Sequence, residues 1–222
     1  MLPIFPAHVF NPNSVRSYIE RKTLSGGTSL SGVEDTVLTD GGGRWVIEYG
    51  DVGLDSPRQI RSWDSWNGYL NAGTADVLVP LVSIETAPRP ALGRGFMPPS
   101  DIYANDPLYP TIVRFQAPYI IATLAEGAPL RATTLRITMQ HGAPIEGGER
   151  FSLGERGYRI RRKIGDDLFQ IEPPLREAVT AGAEVNFDWP VVRCRAVPAE
   201  DWSPAIELGM YADASIRFVE VL

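Results

Sequence analysis

The stretch from Arg44 to Leu81 constrains this chain more than any other, because its apolar spacing changes period twice within forty residues. Trp45-Val-Ile-Glu-Tyr49 puts Trp45, Ile47 and Tyr49 on one side at period two, the pattern of a strand with a buried face. Asp55-Ser56-Pro57 follows a glycine-marked turn. Ser56 can cap a helix there, and Pro57 fits the first helical position, where no amide donor is needed. Ile60, Trp63 and Leu70 then fall on one helical stripe, with Trp66 and Tyr69 at its edge, and Gly73 marks a left-handed stop. The spacing predicts a helix over 56–72, followed by a strand from Asp76 to Val82. A lone amphipathic helix with two tryptophans cannot bury its apolar face by itself, so it must pack on the sheet made by its neighbours.

Around this unit the chain reads as mainly β. Residues 4–10 and 14–24 are extended candidates, and the Gly-, Ser- and Thr-rich stretch 24–43 holds a β-arch or hairpin between 28 and 40. Val33, Val37 and Leu38 are available there to a core. Prolines at 88, 90, 98, 99, 107, 110 and 118 make 86–118 an extended arm, and Phe96, Tyr103, Tyr109 and Phe115 give it apolar anchors.

Short strand patterns recur from 119 to 195: 119–124, 134–139, 150–153, 158–164, 168–171, 184–189 and 191–195. Glycine-containing turns separate them, the pattern of a small β-barrel or sandwich. The alternating Ser215-Ile-Arg-Phe-Val-Glu-Val-Leu222 suits a strand that returns to the first unit. The expected organisation is an N-terminal β-sandwich or barrel domain over 1–85 with one α-helix, completed by 205–222. An arm at 86–118 and a second small β domain at 119–195 follow.

Chemistry is sparse. The net charge of −6 argues against holding nucleic acid by counterion release. The single Cys194 excludes an internal disulfide framework, and in a strand-like setting it reads as a small buried hydrophobe before it reads as a nucleophile. The N-terminus lacks a basic leader and carries two prolines, so a signal peptide is not expected, and no apolar run reaches the ~18 residues of a membrane span. A reducing cytoplasm is the expected place of synthesis. His8 and His141 have no second metal-binding residue at ligand spacing. Gly27 to Gly32 has the wrong spacing for a nucleophile elbow. Asp166-Asp167 and Glu34-Asp35 read as turn and loop residues before they read as paired catalytic carboxylates. No catalytic residue, metal or cofactor is assigned.

Two binding candidates remain. Arg159, Arg161 and Lys163 would share one face of a strand, opposite Tyr158, Ile160 and Arg162, and could contact an acidic surface or a phosphate. The plainer reading is a solvated face balanced by Glu155, Asp166 and Asp167. Of five tryptophans, Trp189 and Trp202 are the candidates for a sugar-binding platform; the plainer reading puts the tryptophans in the core.

The order of short motifs resembles a known family. A Gly27–Gly32 loop leads to Gly43-Arg44-Trp45, then to a helix ending Leu70-Asn-Ala-Gly73, then to Val77-Leu-Val-Pro80. Gly148-Glu-Arg-Phe-Ser-Leu153, Tyr158-Arg-Ile160, Ile171-Glu-Pro-Pro-Leu-Arg176 and Ser215-Ile-Arg-Phe-Val-Glu220 follow. This series is similar to the distal tail proteins of long-tailed bacteriophages. The resemblance implies a homo-oligomeric ring, commonly of six copies, at the distal end of the virion tail, joining the tail tube protein to the hub or tip protein. It implies a collar around a channel through which DNA passes without specific binding, an outer β domain carried on that collar, and no membrane partner. Two other readings stay open: a carbohydrate-binding module for host attachment, and a cell-wall hydrolase.

Overall fold

The computed structural model describes residues 2–10, 12–28, 30–32, 34–38, 41–81, 86–88, 120–197 and 212–222. Its elements are α1 (Ala7–Phe10), β1 (Ser14–Glu20), β2 (Thr23–Thr28), β3 (Glu34–Leu38), β4 (Arg44–Gly53), α2 (Pro57–Leu70) and β5 (Val77–Pro80). They continue as β6 (Ile121–Leu124), β7 (Thr134–His141), β8 (Arg150–Leu153), β9 (Arg156–Lys163), β10 (Leu168–Glu172), β11 (Val191–Ala196) and β12 (Asp213–Glu220). The protein is mainly β, with two five-stranded antiparallel sheets and a separate two-stranded hairpin among the described residues. The chain divides into two compact units. Unit 1 gathers Met1–Val82, Gly154–Gly157 and Val191–Leu222, and unit 2 gathers Ser83–Leu153 and Tyr158–Pro190.

In unit 1 the strand order is β1-β4-β12-β11-β5. The alternation of β12 is clean: Ala214, Ile216 and Phe218 are buried, while Asp213 and Ser215 are exposed. Those apolar residues join Trp45, Ile47 and Tyr49 of β4, Val77 and Val79 of β5, and Val192 and Cys194 of β11. Helix α2 covers them with Trp63 and Leu70 fully buried and Ile60 and Trp66 partly so, and Phe5 and Phe10 fill the space beside Trp63. The predicted cap is present: the Ser56 side chain accepts the Gln59 amide at 3.3 Å, with Pro57 at the first helical position. The helix ends earlier than the pattern predicts, because Asn71 and Ala72 already adopt left-handed backbone at φ 45° and 54° before Gly73 does. The other face of the sheet carries ion pairs beside the buried Val46 and Leu78: Arg217 joins Glu48 at 3.3 Å and Arg44 joins Glu20 at 2.9 Å.

In unit 2 the order is β6-β7-β10-β9-β8, around a core of Leu135, Ile137, Phe151, Tyr158, Ile160, Phe169, Ile171 and Phe187.

Four readings of the sequence change. Residues 7–10 form a short helix instead of an extended segment. Residues 184–189 make only the isolated bridges Thr123↔Glu184 and Ser152↔Asn186 and no strand. Strand β11, grouped by sequence with the second module at 119–195, belongs to the first sheet, where Val191 to Cys194 pair with Pro80 to Val77. Its short apolar pattern suits either sheet, and the pairing partner is a long-range choice. The fourth concerns β9 and is taken up below. The arm expected at 86–118 lies outside the described residues except for 86–88.

Candidate functional site

The most unusual surface is the hairpin β2–β3. Every residue of β2 is exposed, and the two strands pair only with each other among the described residues. Pairing runs Thr23↔Leu38, Leu24↔Val37, Ser25↔Thr36, then shifts before Thr28↔Glu34. The shift falls on Gly26-Gly27, and Gly27 has φ +88°, a conformation open to glycine. At the tip, Leu30 is fully exposed. A two-stranded hairpin with no third strand is marginal in water.

Strand β1, which leads into this hairpin, pairs with β4 alone among the described residues. Its second edge is therefore a place where another strand can add.

A groove of about 500 Å³ lies between α1 and α2, lined by Pro6, Val9, Phe10, Arg58, Gln59, Ser62 and Trp66. Val9 is exposed and Trp66 half-buried, its ring edge-on to Phe5. Arg58 is the only charged lining residue and has no ion-pair partner among the described residues. Arg58, Ser62 and Trp66 recur at helical spacing beside the buried stripe, a signal the sequence holds but which marks a groove only once α1 is placed against it.

The basic strand is not the flat ladder that alternation predicts. Pairing of β9 with β10 runs Lys163↔Phe169 and Arg162↔Gln170, then Ile160↔Ile171 and Arg159↔Glu172, so Arg161 is an extra residue in a bulge. Arg159 and Arg162 consequently stand opposite Glu172 and Gln170, whereas Lys163 stands opposite the core residue Phe169; the three cations do not share one face. Arg159 Nε donates to Glu172 Oε1 at 2.8 Å and Arg162 Nε to Gln170 Oε1 at 2.9 Å. Arg161 and Lys163 are exposed. Burial, and next the positive charge of Arg159, holds the Arg150 guanidinium below its usual range.

Trp189 is 46% exposed in a turn closed by Asn186, whose side chain donates to the Trp189 carbonyl at 3.0 Å and accepts the Trp189 amide at 3.0 Å. Trp45 and Trp63 are buried, and Trp202 lies outside the described residues. Cys194 is fully buried, and burial, then the Glu220 carboxylate, pushes its thiol well above the usual range. Asp167 accepts from Arg136 at 2.7 Å, while Asp166 is exposed. No group of three metal-binding side chains occurs among the described residues.

Comparison with protein-family models finds no match, and comparison with curated protein sequences finds none at a significant level.

Proposed function

We propose that this protein is a structural component of a bacteriophage tail, a distal tail protein whose copies close into a ring, six being the number the resemblance implies. The ring would join the tail tube to the tip hub at the distal end of the virion. The observation that carries the reading is the β2–β3 hairpin, whose strand β2 is exposed throughout, beside the edge of β1 that no described strand pairs. Another molecule can give such a hairpin a third strand or a covering face, and neighbouring copies of a ring supply one at every position. The motif order from Gly27 to Glu220 supports the same reading. The net charge of −6 suits a channel that DNA must traverse without sticking.

Native mass spectrometry and negative-stain electron microscopy of the purified chain, alone and mixed with tube and hub proteins, test this directly. A closed ring of defined copy number is expected. A chain that stays monomeric at every concentration and with every tail partner would sink the proposal.

A second reading, glycan attachment by unit 2, draws on the half-exposed ring of Trp189. Binding on a glycan array that disappears in Trp189→Ala would support it, and an array without signal would remove it.

A further inference from the structure

Strands β8, β9 and β10 of unit 2 gather a cationic face whose members differ from those that plain alternation selects. Phe151, Tyr158, Ile160 and Ile171 belong to the core, so Arg150, Arg159 and Glu172 lie on the outer side. The Ile160 amide donates to the Glu149 carbonyl at 2.8 Å, and the Phe151 ring lies 5.6 Å from that of Tyr158, which sets Arg150 across from Arg159. The bulge adds two more cations. Arg162 stands opposite Gln170, the residue before core-facing Ile171, so it too points outward. Alternation therefore breaks at Arg161. That side chain is exposed while the Ile160 side is core, so Arg161 shares the outer side with Arg162. Among the described residues of these strands, one carboxylate, Glu172, faces four guanidiniums, and Arg159 already holds it at 2.8 Å. Arg162 donates to a neutral acceptor, Gln170 Oε1, which leaves its charge in place.

Like charges directly across a strand pair destabilise it, and an anion bound between them removes the repulsion. We infer that the outer face of β8–β10 binds a compact phosphate-bearing ligand, one with two phosphates close together. Guanidinium forks match phosphate oxygens in pairs, and a phosphate can bridge two of them at once. Neighbouring strands lie about 4.8 Å apart, and Arg159 to Arg162 spans about 10 Å at ~3.3 Å per residue, a footprint for two phosphates. Nucleic acid fits this face less well. It draws its affinity from a longer run of phosphate contacts, and the net charge of −6 repels a long polyanion. The inference stands apart from the ring reading and gives unit 2 a ligand of its own.

The test is isothermal titration calorimetry of the full chain with inorganic pyrophosphate at low salt. Saturable binding of one pyrophosphate per chain is expected, and Arg161→Gln combined with Arg162→Gln should weaken it about tenfold or more. Both side chains are exposed, so without ligand the double variant should melt with wild type, and pyrophosphate should raise the melting temperature of wild type alone. Arg58→Gln removes an exposed cation from unit 1 and should leave the affinity unchanged. No saturable binding, or equal weakening by Arg58→Gln, would overturn the site. A duplex oligonucleotide that binds more tightly than pyrophosphate, and is lost in the same double variant, would overturn the compact ligand in favour of nucleic acid. None of these outcomes touches ring formation, so failure here leaves that reading where it stands.

Discussion

The indole nitrogen of Trp45 donates to the carbonyl oxygen of Gly157 at 2.8 Å, across 112 residues of sequence, and both groups are buried in unit 1. The glycine is required there. A Cβ built on Gly157 would stand 2.3 Å from Val192 Cγ2 and 2.9 Å from Leu81 Cδ1. Trp45→Phe leaves a buried carbonyl without its donor, and Gly157→Ala overpacks the same place. Each should lower stability by about 1–3 kcal/mol. Urea unfolding followed by tryptophan fluorescence reads the loss as a lower midpoint at unchanged slope.

Helix α2 depends on its first turn. Ser56 accepts the Gln59 amide, and Gln59 Oε1 in return accepts the Asp55 amide at 3.2 Å and the Ser56 hydroxyl at 3.0 Å. Ser56→Ala removes one side of this exchange and should cost about 1 kcal/mol, while Ser56→Asp should stay close to wild type. A shift in unfolding midpoint for aspartate as large as that for alanine would contradict the capping role.

Acid should weaken unit 1 through Asp76. Burial alone would raise its pKa, but hydrogen bonds and charge from Arg193 and Arg195 outweigh burial and hold it below the usual carboxylate value. A depressed folded pKa means stabilisation that is present above the unfolded value of about 3.9 and lost as pH falls through the folded one. The stability difference between wild type and Asp76→Asn should therefore be largest near neutrality and shrink below about pH 4. A difference that stays constant down to low pH would show that the carboxylate charge is not the cause.

Thiol chemistry offers a separate check. With Cys194 fully buried and its thiol pushed up, a disulfide reagent should modify the native chain far more slowly than the urea-unfolded chain at neutral pH. Equal rates would mean that β11 opens readily.

Several elements were legible before any coordinates because their causes are local. The alternation of β12, the Ser56 cap and the apolar stripe of α2 are all set by residues within a few positions of each other. Arg150–Leu153 likewise reads as a strand from its own four residues. The mainly β class and the single substantial helix follow from such patterns alone.

Tertiary structure decided the rest, since it depended on groups distant in the chain. Strand β11 could have paired in either sheet, and it lies in the first because Val191 to Cys194 find β5 on one side and Cys194 to Ala196 find β12 on the other. The extra residue at Arg161 is invisible until β10 sets the register, and with it falls the shared cationic face. Trp66 beside Arg58 becomes the wall of a groove only when residues 6–10 pack against α2. Periodicity says which side of an element seeks burial; which partner meets that side is a comparison among many long-range pairings, and only the folded chain makes it.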